Sequence, residues 1–262
     1  MSHAAYDRLV ILREDGDAVI AIGQPAHAWL SGQLARAWGN ERFPAPEPRE
    51  EVCLAAEQHD LGMAAWDAAP HVNPQTGRPM SFMEMPTEVH LDLWTRAPRL
   101  ALVQGRYAAL LVSLHGTLLY EYRDWSRASE DTRRAVEAYR EDQRALQDEL
   151  VRSLASDPRY APYVESGTLE HNRRLVAVWD AISLMLCMRR LPYTLERPER
   201  FELTALDDEG ARARLDPWPF RGEKLIVRCE GRRLEGRFQT DDALREALAR
   251  APWQTLDIEL VP

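Results

Sequence analysis

The chain has 262 residues, 45% hydrophobic and 29% charged, which is enough apolar material for a sizeable core and too much for a disordered chain. Its net charge of -9 argues against a nucleic-acid backbone or an anionic membrane as main partner, because both select basic surfaces. No run approaches the roughly 18 apolar residues of a membrane span, Met1 to Asp7 has no apolar signal core, and Cys53, Cys187 and Cys229 are scattered without a C-x-x-C, so a soluble protein of the reducing cytoplasm is expected.

Leu9 to Leu12 and Ala18 to Ile22 are apolar runs on either side of Glu14-Asp15-Gly16-Asp17, the pattern of a β-hairpin. Pro25 to Trp38 reads as a helix, with Pro25 suited to its first turn and Gly39-Asn40 to its exit. Phe43 to Pro48 is a proline-rich loop. A helix is predicted from about Arg49 to about Ala64, unless Gly62 ends it sooner. Asp67 to Thr87 has no sustained period, and loops this long tend to be functional. Thr87 to Trp94 reads as a short helix and Arg99 to Tyr122 as a longer one, with Leu110, Leu111, Leu114, Leu118 and Leu119 at helical spacing. Glu130 to Ala155 is a long helix whose Arg/Glu face reads as solvated surface. Thr168 to Arg190 is another, apolar in its second half.

Beyond Pro192 to Pro198 the period changes to short extended runs: Phe201 to Thr204, Lys224 to Cys229, Leu234 to Gln239 and Thr255 to Val261. Glu230-Gly231-Arg232 reads as a hairpin turn, and Asp241 to Arg250 as a short helix capped by Thr240 or Asp241. The expected fold is mainly α: an N-terminal hairpin (1–24), a helical body (25–190) and a small α+β region (191–262). The two β regions are expected to share a sheet or pack together, because an isolated hairpin is barely stable.

Within the helical body, ionisable groups stand in apolar surroundings. His59-Asp60 follows Cys53-Leu54-Ala55-Ala56, His27 lies in Ala26-His27-Ala28-Trp29, His115 in Ser113-Leu114-His115-Gly116, and Asp180 in Val178-Trp179-Asp180-Ala181-Ile182. Burying such groups is costly without a partner. A divalent metal is one solution; a hydrogen-bonded His-Asp pair at a helix end is another. His90 follows the long loop. His3, His71 and His171 lack apolar helical settings.

The series His27, His59-Asp60, His90, His115, Asp180 resembles the HD-domain superfamily of metal-dependent phosphohydrolases. The resemblance implies an HD-type helical bundle over about Pro25 to Arg190. It implies His27, His59, Asp60 and Asp180 as metal ligands, with His90 and His115 as the added histidines of binuclear members. The whole chain, with His59-Asp60-Leu61-Gly62, Trp66-Asp67 and Thr76-Gly77-Arg78-Pro79, also resembles an uncharacterised bacterial family of similar length. A mixed His/Asp set suits Fe, Mn, Co, Ni or Zn, and a carboxylate such as Asp60 can bridge two ions and serve the catalytic step.

The expected function is a phosphomonoesterase or phosphodiesterase acting on a small anionic substrate. Arg78 is the expected phosphate contact, with Trp66 beside it. Asp67 to Thr87 is expected to border the pocket through Trp66, Met80, Phe82, Met83 and Met85, or else to pack on the C-terminal region. Two other readings remain open: a mixed-valent di-iron oxygenase of the same superfamily, and a non-catalytic ligand-binding protein. The G-x-x-x-x-G-K-[ST], G-x-G-x-x-G and G-x-S-x-G signatures are absent.

Overall fold

The computed structural model describes residues 11–82 and 84–262. Leu9 and Val10 of the expected first strand, the polar segment Met1 to Asp7, and Met83 lie outside the described residues. In order, the elements are β1 (Ile11–Asp15), β2 (Ala18–Ile22), α1 (Gln24–Ala37), α2 (Arg49–Gln58), α3 (Ala64–Asp67), α4 (Thr87–Leu102), α5 (Arg106–Glu121), α6 (Glu130–Ala155) and α7 (Ser166–Met188). They continue with β3 (Tyr193–Leu195), β4 (Phe201–Ala205), β5 (Arg212–Asp216), β6 (Leu225–Leu234), α8 (Asp241–Arg250) and β7 (Trp253–Val261).

The structure is half helical and 18% strand, and among the described residues the strands form one curled mixed sheet of seven. This corrects the expectation of a mainly α, HD-type helical bundle with small β pieces attached. The strand order is β1-β2-β6-β7-β5-β4-β3. All neighbours are antiparallel except β5 and β7. The terminal regions merge because β2 pairs with β6, Val19 opposite Leu234 and Ala21 opposite Arg232.

Several local expectations fail for physical reasons. Glu230-Gly231-Arg232 is not a turn; it lies inside the ten-residue strand β6. A Cβ on Gly231 would sit 2.6 Å from Ile20 Cγ2 and 2.9 Å from the Ala21 carbonyl oxygen. The glycine therefore permits close approach of β2. β5 carries only two inward residues, Ala213 and Leu215, too few for a sequence pattern. Helix α4 runs straight through Pro98. The missing Pro98 N–H is tolerated because Leu91, Trp94, Ala97 and Ala101 form one buried stripe across it.

Every residue of β2 is buried, because both faces of the sheet are covered here. Ile20 and Ile22 join the main core with α1 and α7. Val19 and Ala21 join Leu12, Leu234, Leu244 and Ala251 in a second core under α8. On the main side, Trp38 meets Phe43, Trp179 and Phe201 at ring-centroid distances of 5.6 Å and Phe220 at 5.9 Å. Truncating one such aromatic costs about 3–5 kcal/mol, so this cluster fixes α1 and α7 against the sheet.

Arg13 adds a polar lock. Its buried guanidinium donates to the carbonyl oxygens of Leu186 at 3.2 Å and Gly210 at 3.2 Å. The first lies in the last turn of α7 and also accepts from the Arg189 N–H at 3.2 Å, so Arg13 ties β1 to the end of that helix.

Candidate metal centre

Helix α1 packs on α2 and α7, and α5 packs on α2 and α7. Their meeting point is where His27 (α1), His59 and Asp60 (end of α2), His115 (α5) and Asp180 (α7) converge. In a continuous helix, adjacent side chains point about 100° apart. Here α2 stops at Gln58, and Asp60 leaves helical geometry at φ -102, ψ 17. That turn lets His59 and Asp60 face one site. It is set by the 3-10 turn Leu61–Met63, which lies hard against α4. A Cβ on Gly62 would be 2.5 Å from the Leu93 carbonyl oxygen and 2.8 Å from Ala97 Cβ.

His27 Nε2 lies 2.6 Å from Asp60 Oδ2. His59 Nε2 lies 3.3 Å from Asp180 Oδ1 and 3.6 Å from Asp60 Oδ2. His115 Nε2 is 3.5 Å from Asp180 Oδ2, and His27 Nε2 is 3.9 Å from Asp180 Oδ1. The outer nitrogens are held elsewhere. His59 Nδ1 donates to the Ala56 carbonyl at 2.8 Å, which turns Nε2 inward toward the carboxylates. His27 Nδ1 is 3.0 Å from Ser183 Oγ, which itself donates to the Asp180 carbonyl and touches Ser31 Oγ at 2.7 Å.

These residues fit a metal by three observations. Among the described residues both ring nitrogens of His115 are buried without a hydrogen-bond partner, a costly state, and His59 Nε2 meets Asp180 only at an ion-pair distance of 3.3 Å. The donors form two groups, His27/His59/Asp60 and His59/His115/Asp180, each within 4.8 Å. Bonds of about 2.1 Å put neighbouring ligand atoms roughly 3.0 Å apart in an octahedron and roughly 3.4 Å in a tetrahedron. The 3.3 Å from His59 to Asp180 falls in that range, 3.5 and 3.6 Å lie just beyond it, and the 2.6 Å from His27 to Asp60 is a direct hydrogen bond. The buried His/Asp groups can therefore hold a metal ion.

The electrostatics agree. Burial disfavours the charged form of His59, but Asp60 and Asp180 outweigh it and push its pKa up to about 9. Burial alone would raise Asp60 and Asp180, yet His59 and the other histidines hold both below the usual carboxylate range. His115, deeper in apolar surroundings, is pushed down to about 4 by burial. At neutral pH the centre thus holds ionised carboxylates, a neutral His115 and a protonated His59, whose Nε2 proton a bound ion would displace.

His90 is not brought into either donor group. Its Nε2 accepts from the Trp94 indole at 3.0 Å, so its Nδ1 carries the proton and donates to the Tyr120 hydroxyl oxygen. Burial pushes its pKa down to about 4. His90 instead lines the cavity of about 510 Å³ that opens above the centre. His27, Asp60, His115 and Asp180 line it too; Met63, Phe82, Met85, Trp94, Leu118 and Leu184 give it apolar walls.

Arg78 and Trp66 lie outside that cavity lining. Arg78 makes an ion pair with Glu14 at 2.9 Å beside a separate, smaller pocket. Trp66 packs against His71 with ring centroids 4.7 Å apart and the planes tilted by 44°. The segment between them divides its work. Phe82, Met85 and Thr87 border the cavity. The earlier part packs on the C-terminal region through His71–Asp241 at 2.7 Å and the Val72–Asp241 and Phe238–Gly77 hydrogen bonds.

Ser183, Ser31, Arg123 and Arg197 were missed in the sequence. Ser31 and Ser183 follow His27 and Asp180 by one helical turn, a spacing that places them on the same faces. Arg123 and Arg197 lie in connecting segments at the cavity mouth, where no periodicity marks them.

A family model described as "Protein of unknown function (DUF3891)" matches residues 10–236. No curated protein and no solved structure matches the chain.

Proposed function

The chain belongs to the DUF3891 family of proteins of unknown function, and we propose that it is a metal-dependent hydrolase of small phosphoesters built on the His27, His59, Asp60, His115 and Asp180 centre. The observation that carries this reading is the pair of overlapping donor groups with orphaned imidazole nitrogens at the base of a cavity. Two divalent ions of the Mn, Fe, Co, Ni or Zn kind would supply Lewis acidity at a phosphoryl oxygen and lower the pKa of the attacking water.

The chain's own residues do the rest. Ser183 and the Ala56 carbonyl engage Nδ1 of His27 and His59, so both rings present Nε2 inward, where each would hold an ion once its proton is displaced. Asp180 turns Oδ1 toward His59 and Oδ2 toward His115, so it would be a ligand beside both histidines and could serve two ions if two were bound. Asp60 directs one oxygen at His27 and His59 and remains ionised as ligand and proton acceptor. Trp94 and Tyr120 hold His90 neutral in the wall. The apolar walls limit water around the reacting group, which strengthens each charge interaction there. A cavity of about 510 Å³ suits a small molecule, within the roughly 300–1,000 Å³ of such sites.

The test combines metal analysis of protein purified without chelators with turnover of p-nitrophenyl phosphate and bis-p-nitrophenyl phosphate. Two ions per chain are expected, with hydrolysis that is abolished by chelation and by Asp180→Ala. Two irons with oxo-bridge absorbance and dioxygen consumption, without hydrolysis, would replace the hydrolase by an oxygenase. Protein free of metal would leave a binding role.

A further inference from the structure

We propose that the pocket takes a phosphoester with a flat apolar body and a second negative group, and that Arg123 and Arg197 hold that second group at the cavity mouth. This rests on the hydrolase reading and extends it to a substrate class. Both arginines line the cavity that contains the metal centre. They come from opposite halves of the fold: Arg123 just after α5, Arg197 between β3 and β4.

No carboxylate or carbonyl partner of either guanidinium is found among the described residues, and three neighbouring acids are engaged elsewhere. Glu121 binds Arg173 at 2.7 Å. Glu196 binds Arg200 at 2.8 Å. Asp124 accepts from the Ser126 backbone at 2.9 Å and its hydroxyl at 3.0 Å. Arg123 is instead ordered over the Trp125 ring at 5.0 Å, which leaves its donors free. In a chain of net charge -9, two guanidinium groups at one cavity are the cationic groups placed there to attract and orient an anion. Guanidinium recognises a carboxylate or phosphate with two parallel hydrogen bonds.

Between the two charged ends the walls are Phe82, Trp94, Leu118, Leu184 and Tyr193. They offer contact area for an aromatic body. The substrate therefore places phosphate at the His/Asp centre, an aromatic or similarly flat body against these walls, and a carboxylate or second phosphate between the arginines.

The test measures binding by calorimetry to manganese-loaded protein, with methylphosphonate, phenylphosphonate and 4-(carboxymethyl)phenylphosphonate as non-hydrolysable probes. Expected affinity rises at each step, by about tenfold for the carboxylate. Arg123→Gln and Arg197→Gln each remove most of the carboxylate gain, the double variant removes all of it, and none changes metal content or phenylphosphonate affinity. Equal binding of the carboxylated and plain aryl probes would overturn the role of the arginines. So would equal losses for both probes in the variants. Equal binding of methyl and phenyl probes would overturn the apolar body. Metal-loaded protein that binds no phosphonate at all would overturn the hydrolase reading, and this inference with it.

Discussion

At the scale of single residues, Asp180 and His59 carry the centre, since His59 belongs to both donor groups and Asp180 faces different histidines with its two oxygens. An imidazole nitrogen has one lone pair and serves one ion, whereas a carboxylate can serve two. Asp180→Ala is therefore expected to lose both ions, Asp60→Ala to hold one loosely, and His115→Ala to keep one. Metal stoichiometry of the three variants beside wild type checks this, and equal metal in all four proteins would end the binuclear reading. Asp67 gives a separate, pH-dependent prediction. Burial raises its pKa to about 7, although its Oδ2 accepts from the Gln24 backbone at the start of α1. The folded state thus holds a proton that the unfolded chain releases near pH 4. Stability contributed by this group is present at low pH and is lost as pH rises toward 7. Asp67→Asn keeps an acceptor for Gln24 and removes the charge. In metal-free protein its unfolding free energy should gain on wild type between pH 4 and 7 and stay level above that. A constant difference across this range would contradict the assignment.

At the scale of elements, two glycines set two different contacts. Gly62 brings the turn after Asp60 onto α4, and Gly231 brings β6 onto β2. Alanine at either position overpacks a close backbone approach and should cost about 1–3 kcal/mol. The functional consequences should differ. Gly62→Ala moves the segment that carries His59 and Asp60, so metal affinity should fall. Gly231→Ala disturbs only the sheet, so metal affinity of the folded fraction should hold. Denaturant melts and metal titrations of both variants separate the two effects; equal loss of metal affinity would mean that the Gly62 contact does not position the ligands.

At the scale of the whole molecule, the sheet joins both ends of the chain, and α1 and α7 lie across it. A chain ending at residue 190 would leave β2 without β6 and Trp38 without Phe201 and Phe220. It should fail to fold, as judged by dispersed amide spectra and a cooperative melt; a folded fragment would show that the helices carry their own core. Metal acts on the same global balance. An ion at about 100 times its Kd adds about 2.7 kcal/mol, equivalent to roughly 5–10 °C in Tm for a chain of this size. Manganese should raise the Tm of wild type by that order and leave Asp180→Ala unmoved. An equal rise in both would place the ion elsewhere.

The sequence by itself determined which side chains are costly to bury. His27, His59, Asp60, His115 and Asp180 stand out because each is charged or polar within an apolar helical period, and that contrast is local. It also determined most helices, whose 3.6-residue pattern spans many positions. Only the tertiary structure decided where α2 stops, because the stop depends on Leu93 and Ala97 of another helix pressing on Gly62. It decided that His90 bonds Trp94 and Tyr120 rather than the donor groups, and that Arg78 faces Glu14. It decided the sheet as well: β3 and β5 are too short to show a period, and Gly231 is read as a turn until β2 lies against it. Strand pairing and close approach are properties of two distant segments together, so neither segment records them alone.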